Sequence, residues 1–154
     1  MKLHLGCGTK IKEGYINIDL LSSKADMTAD CSELPFEVDS ASLIESYHLI
    51  EHMTKVKAMV ALEHWYGLLK PGGLLVLECP DIEEVMRQYL QGNEEMLYSV
   101  YGRYRHPYDS HCWGYSRSSL TSILKAIGFK EVKVSNGTDY HSNFEPCMRA
   151  EASK

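Results

Sequence analysis

LKPGGLLVLECPD, residues 69–81, decides how the chain folds. Pro71, Gly72 and Gly73 halt the preceding element and turn the chain, since Pro lacks an N–H and Gly reaches angles closed to other residues. LLVLECP, 74–80, then runs apolar without alternation, the pattern of a strand covered on both faces in a parallel sheet. Upstream, Thr54 caps a predicted helix running to about Leu69. Met59, Leu62, Tyr66 and Leu69 recur at three and four residues, and Ala58, Ala61, Trp65 and Leu68 widen the stripe to suit a helix lying on a sheet. Downstream, residues 82–90 read as helix. Ser116 or Ser118 caps another, with Leu120, Ile123, Leu124 and Ile127 inward and Gly128 at its end.

Further strands fall on either side of this centre. KLHL (2–5) runs straight into GCGTK, and residues 15–20 form a second strand with Asp19 near its end. A weak signal lies around Met27, and residues 42–47 make a better strand, though less apolar than a central one. Residues 129–134 and 145–152 make a last pair, expected as an antiparallel edge hairpin. Strand, helix, buried strand, helix is α/β layering around a mostly parallel, Rossmann-like sheet. Only six residues separate Gly8 from Tyr15, too few for the crossover helix of a first βαβ unit. Either these strands connect unusually or one helix position is empty. An empty position is expected to bare apolar sheet, and a second copy is its simplest cover, so a homodimer is expected.

The 154 residues make one domain with no repeat or linker. No apolar run approaches the ~20 residues that cross a bilayer, and no leader pattern starts the chain. A soluble, cytoplasmic protein without membrane partners is expected. The formal charge of −5 argues against nucleic acid as a partner, because phosphates call for a basic face. Five cysteines, at 7, 31, 79, 112 and 147, form no CxxC pair, so neither a zinc knot nor a redox dithiol is indicated.

Gly6-x-Gly8 after a strand lets the backbone approach a ligand closely. The dinucleotide fingerprint is absent. Lys10 stands at the third glycine position, no helix follows, and the acid comes eleven positions after Gly8 rather than about 20. A nucleoside without phosphate suits the turn better, because no helix N-terminus is present to receive a diphosphate.

LHLGCGTK, NIDL, DCSELPF, ESYHLIEHM and LKPGGLLVLECPD, in this order, resemble the class I S-adenosylmethionine-dependent methyltransferases, in particular their type 11 group with a shortened first unit. HCWGYSRSSLTSILKAIGF is a second block similar to theirs. The resemblance implies a three-layer class I methyltransferase fold lacking its first crossover helix, with S-adenosylmethionine as cofactor. It implies that Gly6, Cys7 and Gly8 pack on the methionine part and that Asp19, with Leu20, holds the ribose hydroxyls. The carboxylate suits that task, being acceptor-only against a diol with two donors. Asp30 and Cys31 resemble the loop that takes the adenine amino group, Leu34, Pro35 and Phe36 its wall, and Ser46 the strand end facing the reacting centre. Two positions depart from the pattern. His4 stands where many relatives carry an acid for the cofactor's ammonium, and Ser42 replaces a common aspartate.

Residues 98–115, YSVYGRYRHPYDSHCWGY, carry more ring area than a solvated connection needs and read as a lid or substrate wall. Arg103 and Arg105 could bind an anionic group there. The cofactor brings the activation, so the protein aligns the nucleophile and removes its proton. His111, His106 and His48 are the candidate bases, in that order. His48-x-x-Glu51-His52 has zinc-peptidase letters, but His48 follows a strand and the helix starts only at Thr54. The stretch is therefore read as the segment entering that helix, with no metal site. The function expected is methyl transfer to an oxygen or nitrogen of a small-molecule or glycan acceptor. The alternative is an inactive homologue acting as a cofactor-binding or partner protein, with a protein or nucleic-acid methyltransferase below that.

Overall fold

A computed structural model describes all of residues 1–154. The elements are β1 (Lys2–Leu5), β2 (Ile16–Asp19), β3 (Met27–Thr28), β4 (Ala41–Tyr47), a 3-10 turn (Ile50–His52), α1 (Lys55–Leu68), β5 (Leu69–Pro80), α2 (Ile82–Leu90), α3 (Met96–Tyr101), α4 (Arg117–Ile127), β6 (Lys130–Asn136), a second 3-10 turn (Tyr140–Asn143) and β7 (Cys147–Ser153). One seven-stranded sheet runs β3-β2-β1-β4-β5-β7-β6. The first five strands are parallel, and β7 inserts antiparallel between β5 and β6. No helix is long and apolar enough to cross a membrane.

The helix boundaries follow the predicted caps. Thr54 Oγ1 accepts the N–H of Lys57, and Ser116 Oγ accepts that of Ser119 while Ser119 Oγ accepts the N–H of Ser116. Pro-Gly-Gly, however, is not the turn before β5 but an irregularity within it. Leu69 already pairs with Ala41, and regular pairing with β4 resumes at Leu74, opposite Leu43. At Gly73 a Cβ would lie 2.9 Å from the carbonyl of Lys70 and 3.1 Å from that of Ala41, so only glycine fits the pinch.

Strand alternation sorts the sheet into two unlike faces. Leu3, Leu5, Ile18, Ile44, Leu75 and Leu77 join Ala61, Leu62, Trp65, Leu120 and Leu124 of α1 and α4 in one core cluster. The opposite face carries His4, Asn17, Glu45, Tyr47, Glu78, Arg149 and Glu151. No helix lies between β1 and β2, nor anywhere before α1. The bare face is therefore polar, not apolar, and the expectation of a homodimer loses its physical ground. Leu43, Leu74 and Val76 are its aliphatic members, among ion pairs between Lys12 and Glu45, Arg149 and Glu78, and Arg149 and Glu151.

Asn17 makes the short β1–β2 connection workable. Its Oδ1 accepts from Lys12 N at 2.8 Å and from His4 Nδ1 at 3.1 Å. Its Nδ2 donates to Lys12 O at 3.0 Å and to Asp26 Oδ2 at 2.9 Å. One buried amide thus does for the loop what a helix's internal ladder would have done, leaving no polar atom of its own unmet.

Glu78 plays the equivalent part on β5. Its fully buried carboxylate accepts from the N–H groups of Thr138 and Asp139, from Thr138 Oγ1 and from Arg149, at 2.9 Å each. Burial opposes its charge, but the Asp139 amide, Arg149 and Thr138 outweigh that and hold its carboxyl below the usual range. A depressed folded pKa stabilises above the unfolded value and is lost as pH falls through the folded one. Glu78→Gln should therefore cost about 2 kcal/mol near neutrality. In urea unfolding at a series of pH values, the gap to wild type should shrink as pH drops below the ordinary carboxyl range; a gap independent of pH would refute the ionised assignment.

Candidate active site

The carboxyl ends of β1, β2, β4 and the β6–β7 connection surround a cleft of ≈ 970 Å³. Gly6 and Gly8 adopt φ of 66° and 50°, so the turn after β1 reverses tightly and lays bare backbone against the cleft. A Cβ on Gly6 would meet Leu49 at 3.0–3.2 Å, whereas one on Gly8 would meet nothing within 4 Å and enter open cleft. Cys7 donates its N–H to Ile18 O at 3.1 Å, which pins the turn to β2. Burial pushes the Cys7 thiol up to about 11 and that of Cys31 to about 12, so both line the cleft as neutral, soft groups.

Asp19 holds this turn from below. Its Oδ2 accepts Gly8 N at 2.9 Å, and its Oδ1 accepts Leu21 N and Ser22 N at 2.8 Å each. Of the carboxylate's roughly four acceptor sites, about one remains free, on Oδ2. Leu20 and Leu21 stand exposed beside it. Asp30 lies across the cleft with Oδ1 on Ser32 N and Oγ and Oδ2 on Lys57 Nζ at 2.6 Å. Burial opposes its charge, but Lys57 and Ser32 prevail and bring it down to about 2, so it is an ionised acceptor at neutral pH.

Several expected residues stand elsewhere. Ser46 is fully buried on the helix-facing side of β4, with Oγ unpartnered, and does not reach the cleft. Leu34 is core and Phe36 packs against it, so neither forms a cleft wall. His48, at φ 50°, sits between Cys147 Sγ at 3.5 Å and Glu51 Oε1 at 2.9 Å. Burial disfavours its charge, but Cys147 and Glu51 outweigh this and lift the imidazole well above its ordinary value. A ring so engaged favours its protonated form, which weighs against His48 as a base.

His106 is exposed at the cleft mouth, its Nε2 3.8 Å from Asp109 Oδ1. Arg105 is held by Asp109 through Nε and NH2 at 2.9 and 2.8 Å, so its charge is already matched. Arg103 instead rides over the Tyr98 ring at 4.8 Å.

His111 lies in a second pocket of ≈ 320 Å³ that shares His48, His52, Arg105, Asp109, Tyr140 and His141 with the cleft. Its Nδ1 donates to Ser99 O at 2.8 Å, leaving Nε2 with a free lone pair. The pocket also contains Glu51, a buried carboxylate. The residues missed at the sequence level are Thr138, Asp139, Tyr140 and His141, which close the cleft from the β6–β7 connection. Their signal was compositional, an acid, an aromatic and an imidazole adjacent in a loop.

The residues present suit S-adenosylmethionine. A glycine cradle with room at Gly8, carboxylates on two sides and no helix end for a phosphate describe a nucleoside site. With a seven-stranded sheet whose last strand is reversed, that is a class I S-adenosylmethionine-dependent methyltransferase. Residues 7–134 match the family model of a methyltransferase domain, and the chain belongs to that family.

Solved structures share the fold. A SAM-dependent methyltransferase from Archaeoglobus fulgidus aligns at TM-score 0.71 and 18% identity, over 99% of this chain and 85% of its own. One from Methanosarcina mazei aligns at 0.70 and 17%, over 99% and 91%. The 1,6-didemethyltoxoflavin-N1-methyltransferase of Burkholderia thailandensis, solved with its substrate and S-adenosylhomocysteine, aligns at 0.67 and 13%, over 99% and 70%. Comparison with curated proteins returns no match.

Asp19→Asn should weaken S-adenosylhomocysteine binding about 10-fold or more by calorimetry, the loss of one charge-assisted hydrogen bond. Melting temperature measured alongside separates this from loss of the Gly8 tether. Unchanged affinity would remove Asp19 from the ribose.

Proposed function

We propose that the chain transfers a methyl group from S-adenosylmethionine to an oxygen or nitrogen of a small acceptor, a small molecule or short glycan. The observation that carries this reading is the pair of adjoining cavities, ≈ 970 and ≈ 320 Å³, with a common wall. When bound, the cofactor supplies an activated methyl on a sulfonium. The chain's share is to hold the acceptor at that wall and relieve it of its proton. Gly6–Gly8, Asp19, Leu20, Asp30 and Cys31 are the cofactor-side residues in this reading. Tyr98 and Phe144 flank the smaller pocket, and Arg103 is the cation there without a carboxylate partner in place, which favours an acceptor with an anionic or strongly polar substituent. His111, with Nε2 free, is the imidazole offered to the acceptor.

A second reading, an inactive homologue, draws on His4. It is buried, and burial lowers its pKa despite the Asn17 hydrogen bond, so it brings no negative charge to the cofactor's ammonium. Asp139 offers that charge from the same cleft, which favours the enzyme. Five unpaired cysteines fit the reducing cytoplasm. The narrower kinship with the type 11 group rests on the order of motifs alone.

A panel of hydroxy and amino acceptors, assayed with methyl-labelled cofactor, tests the assignment. For any acceptor turned over, His111→Ala should lower kcat about 100-fold or more, with S-adenosylhomocysteine affinity unchanged. Arg103→Ala should raise KM. Turnover indifferent to His111→Ala would sink the assigned role.

A further inference from the structure

Glu51 is the least expected side chain in the protein. Its carboxylate is 2% exposed, and neither oxygen has a hydrogen-bond partner. His48 Nδ1 forms an ion pair with Oε1 at 2.9 Å without hydrogen-bond geometry, and Oε2 has no partner at all. His48 thus offsets the charge of Glu51, but the buried lone pairs of Oε2 stay unsatisfied unless something else binds them.

Two imidazoles converge on the same place. One ligand atom each from Glu51, His52 and His111 lies within 4.8 Å of the other two, and the rings of His52 and His111 meet edge to face at 4.8 Å between centroids. Both rings are oriented from behind. His52 Nδ1 lies 3.2 Å from Ser110 O and His111 Nδ1 2.8 Å from Ser99 O. A carbonyl only accepts, so each Nδ1 carries the proton and each Nε2 keeps a lone pair, the tautomer a metal ligand needs. The backbone ties the three together, because Glu51 O accepts from Cys112 N at 2.7 Å and Trp113 N at 3.2 Å.

We propose that Glu51, His52 and His111 form a binding site for a divalent transition-metal ion in the smaller pocket. Two imidazoles and one carboxylate suit Mn²⁺, Fe²⁺, Co²⁺ or Zn²⁺ better than Mg²⁺ or Ca²⁺, which prefer all-oxygen shells. Bond lengths of about 2.0–2.2 Å require the three side chains to draw in slightly. Three protein ligands leave open positions toward the pocket where the acceptor would sit. An acceptor hydroxyl bound there is acidified, its O–H proton is released to solvent, and the oxygen keeps the electron pair as nucleophile. With the ion in place His111 serves the acceptor through the metal, whereas in the metal-free chain its Nε2 has the role proposed above.

Two neighbouring groupings are weaker candidates, His48 with Asp139 and His141, and His48 with Glu145 and Cys147. Both depend on His48, already engaged by Glu51 and Cys147, and in the first Asp139 Oδ2 is taken by His141 at 2.5 Å. The role in methyl transfer rests on the proposed function, but the site itself does not.

Titration of the full chain with Co²⁺ alone, followed by its visible d–d band, is the test. One saturable equivalent is expected, weakened about 100-fold by His111→Ala and by His52→Ala, and unchanged in Asp139→Asn and Cys147→Ser. Circular dichroism and melting temperature show that the variants are folded, and S-adenosylhomocysteine calorimetry on His111→Ala and Cys147→Ser judges the cofactor reading separately. No saturable band up to about 1 mM Co²⁺ overturns the proposal. So does a band lost in Asp139→Asn or Cys147→Ser but kept in His111→Ala.

Discussion

Asn17 is the residue on which the N-terminal half of the sheet depends. Parallel strands need a crossover, and a crossover of ten residues has no room for a helix to satisfy its own backbone. The Asn17 amide instead takes both the N–H and the C=O of Lys12 and still has capacity for His4 and Asp26. An aliphatic side chain here would leave these groups buried and unpaired, at about 1–3 kcal/mol each. The short connection and the polar face under it are therefore one solution. With no helix to bury against, the face is built from polar groups that satisfy one another although His4, Asn17, Glu45 and Glu78 are themselves buried, and the ion pairs of Glu45 and Glu78 complete it.

This arrangement also sets the site. Without a helix after β1, no amide-rich N-terminus is available for phosphate, and the glycine turn is held by the Asp19 carboxylate instead. The same carboxylate thus stabilises the turn and faces the cleft. The far wall comes from the chain's last third, where Glu78 accepts the amides of Thr138 and Asp139 and so positions the segment that carries Tyr140 and His141. One buried acid on β5 couples the open sheet face to the closure of the cleft.

Much of this was legible in the residue order. Helix α1, strand β5 and helix α2 were readable because each buries a stripe or a run that nothing else explains, and the caps at Thr54 and Ser116 work through local hydrogen bonds that need no tertiary partner. The polar face was legible too, and was misread. Leu3-His4-Leu5 and Ile16-Asn17-Ile18 alternate, which says that the second face is polar before any question of a partner arises. Ser46 follows the same rule, since two residues from Ile44 it must face the helices. The insertion of β7 between β5 and β6 was not legible, because strand order leaves no periodic trace. Helix α3 escaped for a different reason, its Glu95 making no side-chain cap and its MLYSVY lacking a polar face. The loop bearing Asp139 and His141 had no period to betray its place.

HLIEH shows how the same letters serve two purposes. A zinc reading that places His48 and His52 on one helix face fails, because the chain leaves β4 at His48 in a left-handed conformation and makes only a 3-10 turn. That turn separates the two histidines. His48 goes to one side of Glu51, with Cys147, and His52 goes to the other, with His111. A carboxylate so enclosed is not needed for stability, since an apolar residue of similar volume would pack there at less cost. It is fully buried, with Oε1 paired to His48 and Oε2 left open beside imidazoles whose tautomers are set by main-chain carbonyls, and that open oxygen is suited to a further cation. The fold requires the turn; the acid at its centre answers to the chemistry of the pocket.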